Sequence, residues 1–320
     1  MKIYKKLTKN FDITDYFNKS SELLWSGEVL LLLNSLPNKP LFDLVVTSPP
    51  YNIGKSYESS QTIDEYFINQ REVIEKLDMF VKDTGSICWQ VGNHIDKKKE
   101  SIYPLDFGFH EIFNDLGYTL KNRIIWKFGH GMHAKKRLSG RYETILWYVK
   151  SSDYTFNLDS IRVPSKYEGK TFYKGPNKGK VSSSSSGKNP EDVWDIPNVK
   201  GNHVEKTIHP CQFPVGLIER LVLGMSNPKD IIFDPYMGVG SAGIAAIAHD
   251  RKFIGADKDH EYVKLAKKRL IEFKQGTLKY RSHATPIYDH ESSGLSYVGL
   301  KKQHEKLKIK YEKLRQKLDV

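Results

Sequence analysis

Two short turns in this chain hold residue types that could do chemistry. The first, Thr47-Ser-Pro-Pro-Tyr51, follows the apolar run Leu41-Phe-Asp-Leu-Val-Val46. Two prolines stiffen such a turn and remove two N–H donors, which leaves its carbonyls to accept. A rigid acceptor carbonyl, the Ser48 hydroxyl and an aromatic face would together cradle a planar amine, and Tyr51 could stack on a base. Stacking of that kind is worth about 1–3 kcal/mol in single-strand binding sites. The second turn is Phe233-Asp-Pro-Tyr-Met-Gly-Val-Gly-Ser-Ala-Gly243, whose core Gly238-Val-Gly240-Ser-Ala-Gly243 matches G-x-G-x-x-G. Glycines in this pattern permit a tight turn and close approach of a ligand to backbone. Asp257 lies 19 residues beyond Gly238, where a carboxylate can accept from ribose hydroxyls. The second turn therefore points to a nucleoside-containing cofactor, and by itself it admits a nicotinamide dinucleotide or S-adenosylmethionine. Asp234, directly before the glycines, would repel a pyrophosphate and suits a cationic methionine amine, which tilts the balance to the sulfonium.

The surrounding elements can place both turns at strand ends. Val29–Leu33 reads as helix or strand, and 41–46 as a buried strand that stops at Pro49-Pro50. Apolar positions from Thr62 to Val81 recur at helical spacing, and Ser86–Val91 is a second buried strand. A helix over 105–116 and strand-like runs 119–128 and 142–149 come next. After an irregular stretch, Val215–Met225 reads as helix. Two βα units then follow, with strands at 230–234 and 252–256 and helices at 241–249 and 261–273. Successive βα units imply parallel strands with helical crossovers.

Charge and composition narrow the classes. The chain has 320 residues, 39% of them apolar, and a formal net charge of +12. This fits a soluble globular protein with a polyanionic partner, most simply nucleic acid. The most apolar run, Val29–Leu33, is far short of the roughly 20 residues that span a bilayer, and no secretory signal is visible, so the expected compartment is the cytoplasm. Two cysteines, Cys88 and Cys211, cannot form a disulfide framework and read as structural. The histidines lack metal-ligand spacing, and no metal is expected. Residues 118–141 hold seven Lys/Arg and no acid, among them Arg123, Lys135, Lys136 and Arg137; His130 and His133 lie at their Gly-rich centre. Residues 151–205 are rich in Ser, Gly, Pro and Lys, with Lys166, Lys170 and Lys174 in their basic part. That stretch reads either as a disordered linker or as an insertion contacting phosphates. The tail, about 299–320, carries eight Lys/Arg against three acids, with Leu300, Leu307, Tyr311, Leu314 and Leu318 on one helical stripe. It reads as a solvated helix packing one face, or else as a dimer seam or DNA contact.

Ser48-Pro-Pro-Tyr51 together with Asp234-Pro-Tyr-Met-Gly-Val-Gly240 resembles the amino-group DNA methyltransferases. The order of the two motifs, with a basic stretch between them, is similar to the permuted beta group of that family. Weaker similarities extend this over residues 20–275: Trp25–Glu28, Arg141–Trp147, Asp192–Pro197, His209–Pro214, and Ile254–Asp257 with Tyr262 and Arg269. The resemblance implies an α/β, Rossmann-like methyltransferase fold, a mostly parallel sheet with helices on both faces, plus a basic target-recognition insertion. It implies a catalytic half at 20–150, the insertion at 151–205, a cofactor-binding half at 206–276 and a basic helical extension at 277–320. It implies S-adenosyl-L-methionine as cofactor. In the family's pattern Ser48 and the Pro49 carbonyl accept from the target amine, Pro50 stiffens the turn and Tyr51 stacks on the flipped base. Asp234, Pro235, Gly238 and Gly240 hold the methionine portion, Asp257 the ribose, Phe213 and Pro214 the adenosine surroundings, and Glu28 is a further contact. The serine form is linked in the family to cytosine N4, the Asp and Asn forms to adenine N6. The implied partners are double-stranded DNA and a cognate restriction endonuclease acting on the same site, with the enzyme a monomer or homodimer. Competing expectations are a dinucleotide-dependent oxidoreductase, which leaves Ser48–Tyr51 without a purpose, a non-catalytic DNA-binding module, and RNA or protein amide methylation.

Overall fold

The computed structural model of the chain describes residues 1–7, 11–51, 61–96, 101–129, 131, 133–165, 167, 169–182, 184, 186–285, 308 and 311. In chain order the elements are β1 (Ile3–Tyr4), α1 (Ile13–Lys19), β2 (Glu22–Ser26), α2 (Val29–Ser35), β3 (Phe42–Thr47), α3 (Ile63–Asp78) and β4 (Val81–Val91). A small hairpin, β5 (Asn93–Asp96) and β6 (Ser101–Pro104), precedes α4 (Leu105–Asp115), β7 (Thr119–Lys127) and β8 (Tyr142–Val149). After a 3-10 turn at Leu158–Ile161 come β9 (Val193–Asp195), α5 (Val215–Met225), β10 (Ile231–Asp234), α6 (Ser241–Ala248), β11 (Lys252–Asp257) and α7 (His260–Lys274). These belong to the body of the chain, residues 1–284; a second unit spans 285–320. In that unit Lys308 and Tyr311 are helical and exposed, and the rest of the leucine stripe lies outside the described residues.

Nine strands form one sheet in the order β1-β2-β11-β10-β3-β4-β8-β7-β9. Pairing is parallel except where β8 meets β4 and β7. A parallel sheet must be covered on both faces, and its strands therefore read as continuous apolar runs. The core accordingly forms two clusters. One holds Ile13, Phe17, Leu32, Leu33, Ile74 and Phe109 from the helices α1 to α4. The other holds Leu217, Leu221, Ile244, Ala245, Val263 and Leu270 from α5 to α7. The edges are short, two residues in β1 and three in β9, which limits the unpaired backbone they expose.

The expected elements reappear in place, with two refinements. Val29–Leu33, ambiguous by pattern, is the helix α2. In the Ser- and Lys-rich stretch, β9 pairs parallel to β7 and Trp194 is buried, so part of residues 151–205 belongs to the main sheet. Trp194 is held by its indole N–H donating to the Glu191 carbonyl at 2.9 Å, with the Arg220 guanidinium over its ring.

The pairing that matters most is β3 with β10, in register at Leu44–Ile232 and Val45–Phe233. The chain leaves β3 through α3 towards β4 on one face, and leaves β10 through α6 towards β11 on the other. Such a switch point opens a crevice at the carboxyl ends of the strands. Phe42 of β3 stacks on Phe233 of β10, ring centroids 4.3 Å apart, and both are fully buried. Phe42→Ala is expected to lower stability by about 3–5 kcal/mol, read as a reduced urea midpoint with a nearly unchanged slope.

Candidate active site

At the switch point a cavity of about 400 Å³ opens between the ends of β3, β10 and β11, within the usual range for a small-molecule site. Ser48, Pro49, Pro50 and Tyr51 line one side; Asp234, Pro235, Gly238 and Asp257 line the other, with Glu28 and Phe213 between. The two turns are thus brought together as expected. Pro214 is not on the wall: it is the N-cap of α5, one residue behind Phe213. Nor is Gly240, which shapes the turn with φ +77° while a Cβ there would sit 2.9 Å from that of Ala266. Gly238 has φ +48° and its missing side chain leaves room for His209. Residues 192–197 are also off the wall, occupied instead in extending the sheet.

The second turn is fixed from several directions. Asp234 is 2% exposed, and its Oδ1 accepts from Thr47 Oγ1 at 2.6 Å and from the Tyr236 N–H at 3.1 Å. Burial pushes its pKa up to about 7, because desolvation disfavours the anion more than these bonds favour it. Asp257 accepts from the Gly238 N–H through Oδ2 at 2.9 Å and from the Asp259 N–H through Oδ1 at 2.8 Å. Burial raises it too, to about 6. Each of its oxygens keeps a second lone pair, and the residue lines the cavity. Asp259 caps α7, accepting from the Glu261 and Tyr262 N–H groups, and so sets where Asp257 ends its strand. Arg269, buried in α7, donates to the Val239 carbonyl at 2.6 Å and clamps the glycine turn from behind. His209 packs edge-on against Tyr262, and burial lowers its pKa to about 4, so it is neutral at pH 7.

The first turn has its own network. Ser48 Oγ donates to Tyr51 Oη at 2.9 Å, and Tyr51 Oη lies 3.4 Å from Glu143 Oε2, to which Gln90 also donates. Burial raises the pKa of both Tyr51 and Glu143. Tyr66 of α3 donates to the Pro50 carbonyl at 2.7 Å. No described residue donates to the Pro49 carbonyl, which leaves that oxygen as the acceptor of the turn. Helix α3 is placed by a capping box between Thr62 and Glu65.

Sequence reasoning missed Thr47, Tyr66, Gln90 and Glu143. Glu143 had a signal, a carboxylate opening an otherwise apolar strand; Tyr66 had none beyond a helical apolar stripe. Both thiols are free. Cys88 is buried 3.1 Å from Met225 Sδ, its thiol pushed well up by burial, whereas Cys211 is exposed and on the cavity wall.

The basic residues divide. Lys135, Lys136 and Arg137 are exposed on the loop between β7 and β8, and Lys170 and Lys174 are exposed in the irregular stretch. Arg123 departs from expectation: its guanidinium is taken by the buried Asp106, with Nε 2.7 Å and Nη2 2.5 Å from Oδ2. Lys166 and His130 lie outside the described residues. No helix among the described residues is long and apolar enough to cross a membrane.

Comparison with known proteins agrees with this geometry. The N6/N4 DNA methylase family matches residues 42–268. The Type II methyltransferase M.BglII of Bacillus subtilis is 46% identical over 243 residues, 76% of this chain and 67% of that protein. The DNA adenine methyltransferase YhdJ of Escherichia coli (strain K12) is 34% identical over 259 residues, 79% of this chain and 84% of that protein. Among solved structures, the cytosine-N4-specific PvuII DNA methyltransferase superposes with a TM-score of 0.62 at 19% identity, covering 82% of this chain and 94% of that one, a likeness of fold. The chain belongs to the N6/N4 DNA methylase family, in the motif order of its beta group, and is a DNA methyltransferase.

Proposed function

We propose that this enzyme methylates the exocyclic N4 of cytosine in double-stranded DNA at a specific site, protecting that site from a cognate restriction endonuclease. The methyl donor is S-adenosyl-L-methionine. The observation that carries the reading is the meeting of Ser48–Tyr51 and Asp234–Gly240 across one cavity, joined by the Thr47–Asp234 hydrogen bond. The relatives include a Type II methyltransferase, the kind of enzyme that reading requires.

The cavity suits that donor. Its floor is acidic, with Asp234, Asp257 and Glu28, and carries aromatic side chains, Phe213 and Tyr262. Asp234 would hold the ammonium, Asp257 the ribose hydroxyls, and Phe213 the adenine surroundings. The donor supplies an electrophilic methyl on a sulfonium. The chain's own task is to ready the nucleophile. An exocyclic amine is a poor one because its lone pair is delocalised into the ring. The Pro49 carbonyl and Ser48 Oγ would each accept one amine hydrogen, drawing the nitrogen towards tetrahedral geometry and freeing the lone pair. With the donor bound, that lone pair would take the methyl carbon while the carbon–sulfur electrons return to sulfur, and the methylated amine would release its extra proton to solvent. Alignment at about 3–3.5 Å is the main requirement, and no covalent enzyme intermediate is needed. The base must leave the stack at a cost of a few kcal/mol. Lys135, Lys136, Arg137, Lys170 and Lys174 would offset this through phosphate contacts. Ser48 favours cytosine because the serine form of this turn is the one linked in the family to cytosine N4. Adenine N6 is the second reading, favoured by the similarity to YhdJ.

Three outcomes are expected. Nucleoside mass spectrometry of DNA incubated with enzyme and S-adenosylmethionine should give N4-methylcytosine, and Ser48→Ala should lower the yield at least tenfold. N6-methyladenine instead would keep the enzyme class and reject the base assignment. Cofactor binding should weaken as pH falls through about 7, where Asp234 takes up a proton. The anion is the form that pairs with an ammonium, so the loss approaches tenfold per pH unit and deepens below about 6 as Asp257 protonates. Calorimetry from pH 5.5 to 7.5 checks this, and Asp234→Asn should bind weakly with a shallower profile. Replacing Lys135, Lys136 and Arg137 by alanine should reduce the slope of log K for DNA against log salt by up to about 0.9 per lost phosphate contact. Arg123→Ala should leave that slope unchanged.

A further inference from the structure

Glu219 of α5, His249 at the C-cap of α6 and His283 in the segment after α7 bring their ligand atoms within 4.8 Å of one another, outside the cavity described above. The two edges of this triangle that meet at the carboxylate are short. His249 Nε2 lies 3.1 Å from Glu219 Oε1, and His283 Nδ1 lies 3.6 Å from Oε2. A zinc ion held by nitrogen and oxygen at roughly 2.0–2.2 Å has tetrahedral edges of about 3.3–3.5 Å. The two observed spacings, which run to the two different carboxylate oxygens, lie within about 0.2 Å of that range, so a small shift would bring one oxygen and both imidazoles onto one ion.

Three further observations bear on it. The Glu219 carboxylate is almost wholly buried and already accepts from His249 Nε2 and the His283 N–H, so a cation there would meet an oriented anion already shielded from water. His283 Nδ1 is a buried atom with no hydrogen-bond partner, an arrangement that native interiors seldom tolerate. The segment is also seated rather than merely nearby. The His283 backbone N–H donates to Glu219 Oε2 at 2.6 Å, and the Arg281 N–H donates to the buried Glu205 at 3.0 Å. At Gly216 of α5, any side chain would meet the Arg281 carbonyl and the His283 nitrogen, each at 2.9 Å. Backbone hydrogen bonds of this kind orient a ligating carboxylate as the outer partners of metal sites do.

We infer that Glu219, His249 and His283 form a binding site for a zinc-class divalent cation, with two imidazoles, one carboxylate and a fourth position left to water. The site clamps the segment 281–283 onto α5 and α6. It is a structural site, separate from the methyl-transfer chemistry, and so stands or falls without it. Sequence spacing could not show it, since the ligands come from three elements at least thirty residues apart.

The test uses the full chain purified without a polyhistidine tag. Cobalt(II) titration should give the strong visible absorption of a tetrahedral site, saturating at one equivalent, and elemental analysis after zinc loading and dialysis should find about one zinc per chain. His249→Ala and His283→Ala should each abolish the cobalt band, while His133→Ala, on the exposed loop, keeps it. Chelator should lower the Tm of the zinc-loaded wild type by about 5 °C and leave that of His283→Ala unmoved. A wild-type chain that retains under a tenth of an equivalent, or a band that survives His283→Ala, would overturn the proposal. The three side chains would then be a hydrogen-bonded carboxylate–histidine cluster. The wild-type titration decides the matter even if a variant fails to fold.

Discussion

The parallel pairing of β3 with β10 is the constraint on which the rest depends. It joins two stretches 187 residues apart and seals the junction with a buried hydrogen bond from Thr47 to Asp234. One strand delivers Ser48–Tyr51 and the other delivers Asp234–Gly240, both at carboxyl ends, because parallel strands end on the same side. Their helices depart to opposite faces, so the crevice between the two turns is not filled by a crossover. A shift of this register by one residue would turn Asp234 out of the crevice and break the aromatic stack beneath it.

The second turn illustrates how backbone, rather than side chains alone, forms a binding surface. Asp257 holds the Gly238 N–H, Arg269 holds the Val239 carbonyl, and Gly240 takes a left-handed conformation with Ala266 pressed against it. The chain thereby spends buried charged groups on shaping a loop, which is costly in isolation. The raised pKa values of Asp234 and Asp257 express that cost. A cationic ligand would relieve part of it, which is the physical content of the proposed preference for an ammonium-bearing cofactor. The first turn is rigid for a different reason. Its prolines limit the backbone, Tyr66 occupies the Pro50 carbonyl, and the Ser48–Tyr51–Glu143 chain fixes the hydroxyl.

Much of this was legible in the residues. Buried strands show as short apolar runs: 41–46 and 230–234 stop at prolines, and 252–256 sets Phe253, Ile254 and Ala256 between Lys252 and Asp257. Both turns could be placed at strand ends, and so could be expected to meet. What stayed hidden was set by tertiary contact. Five apolar residues at 29–33 fit either period, and only packing under the sheet makes them a helix. Val193–Asp195 sits in a polar stretch, and β7 is what recruits it. Arg123 looked like a phosphate ligand because its partner, Asp106, lies on the preceding helix. Tyr66 joins the site from a helix whose local pattern concerns burial alone, while Glu143 stands out only as a carboxylate opening an apolar strand.

The most direct test of the account is a crystal structure of the chain with S-adenosyl-L-methionine. The account predicts the ammonium against Asp234, the ribose hydroxyls at Asp257, and the sulfonium methyl facing the Pro49 carbonyl and Ser48. A cofactor bound with its methyl turned away from Ser48–Tyr51, or seated outside the crevice between β3 and β10, would contradict it.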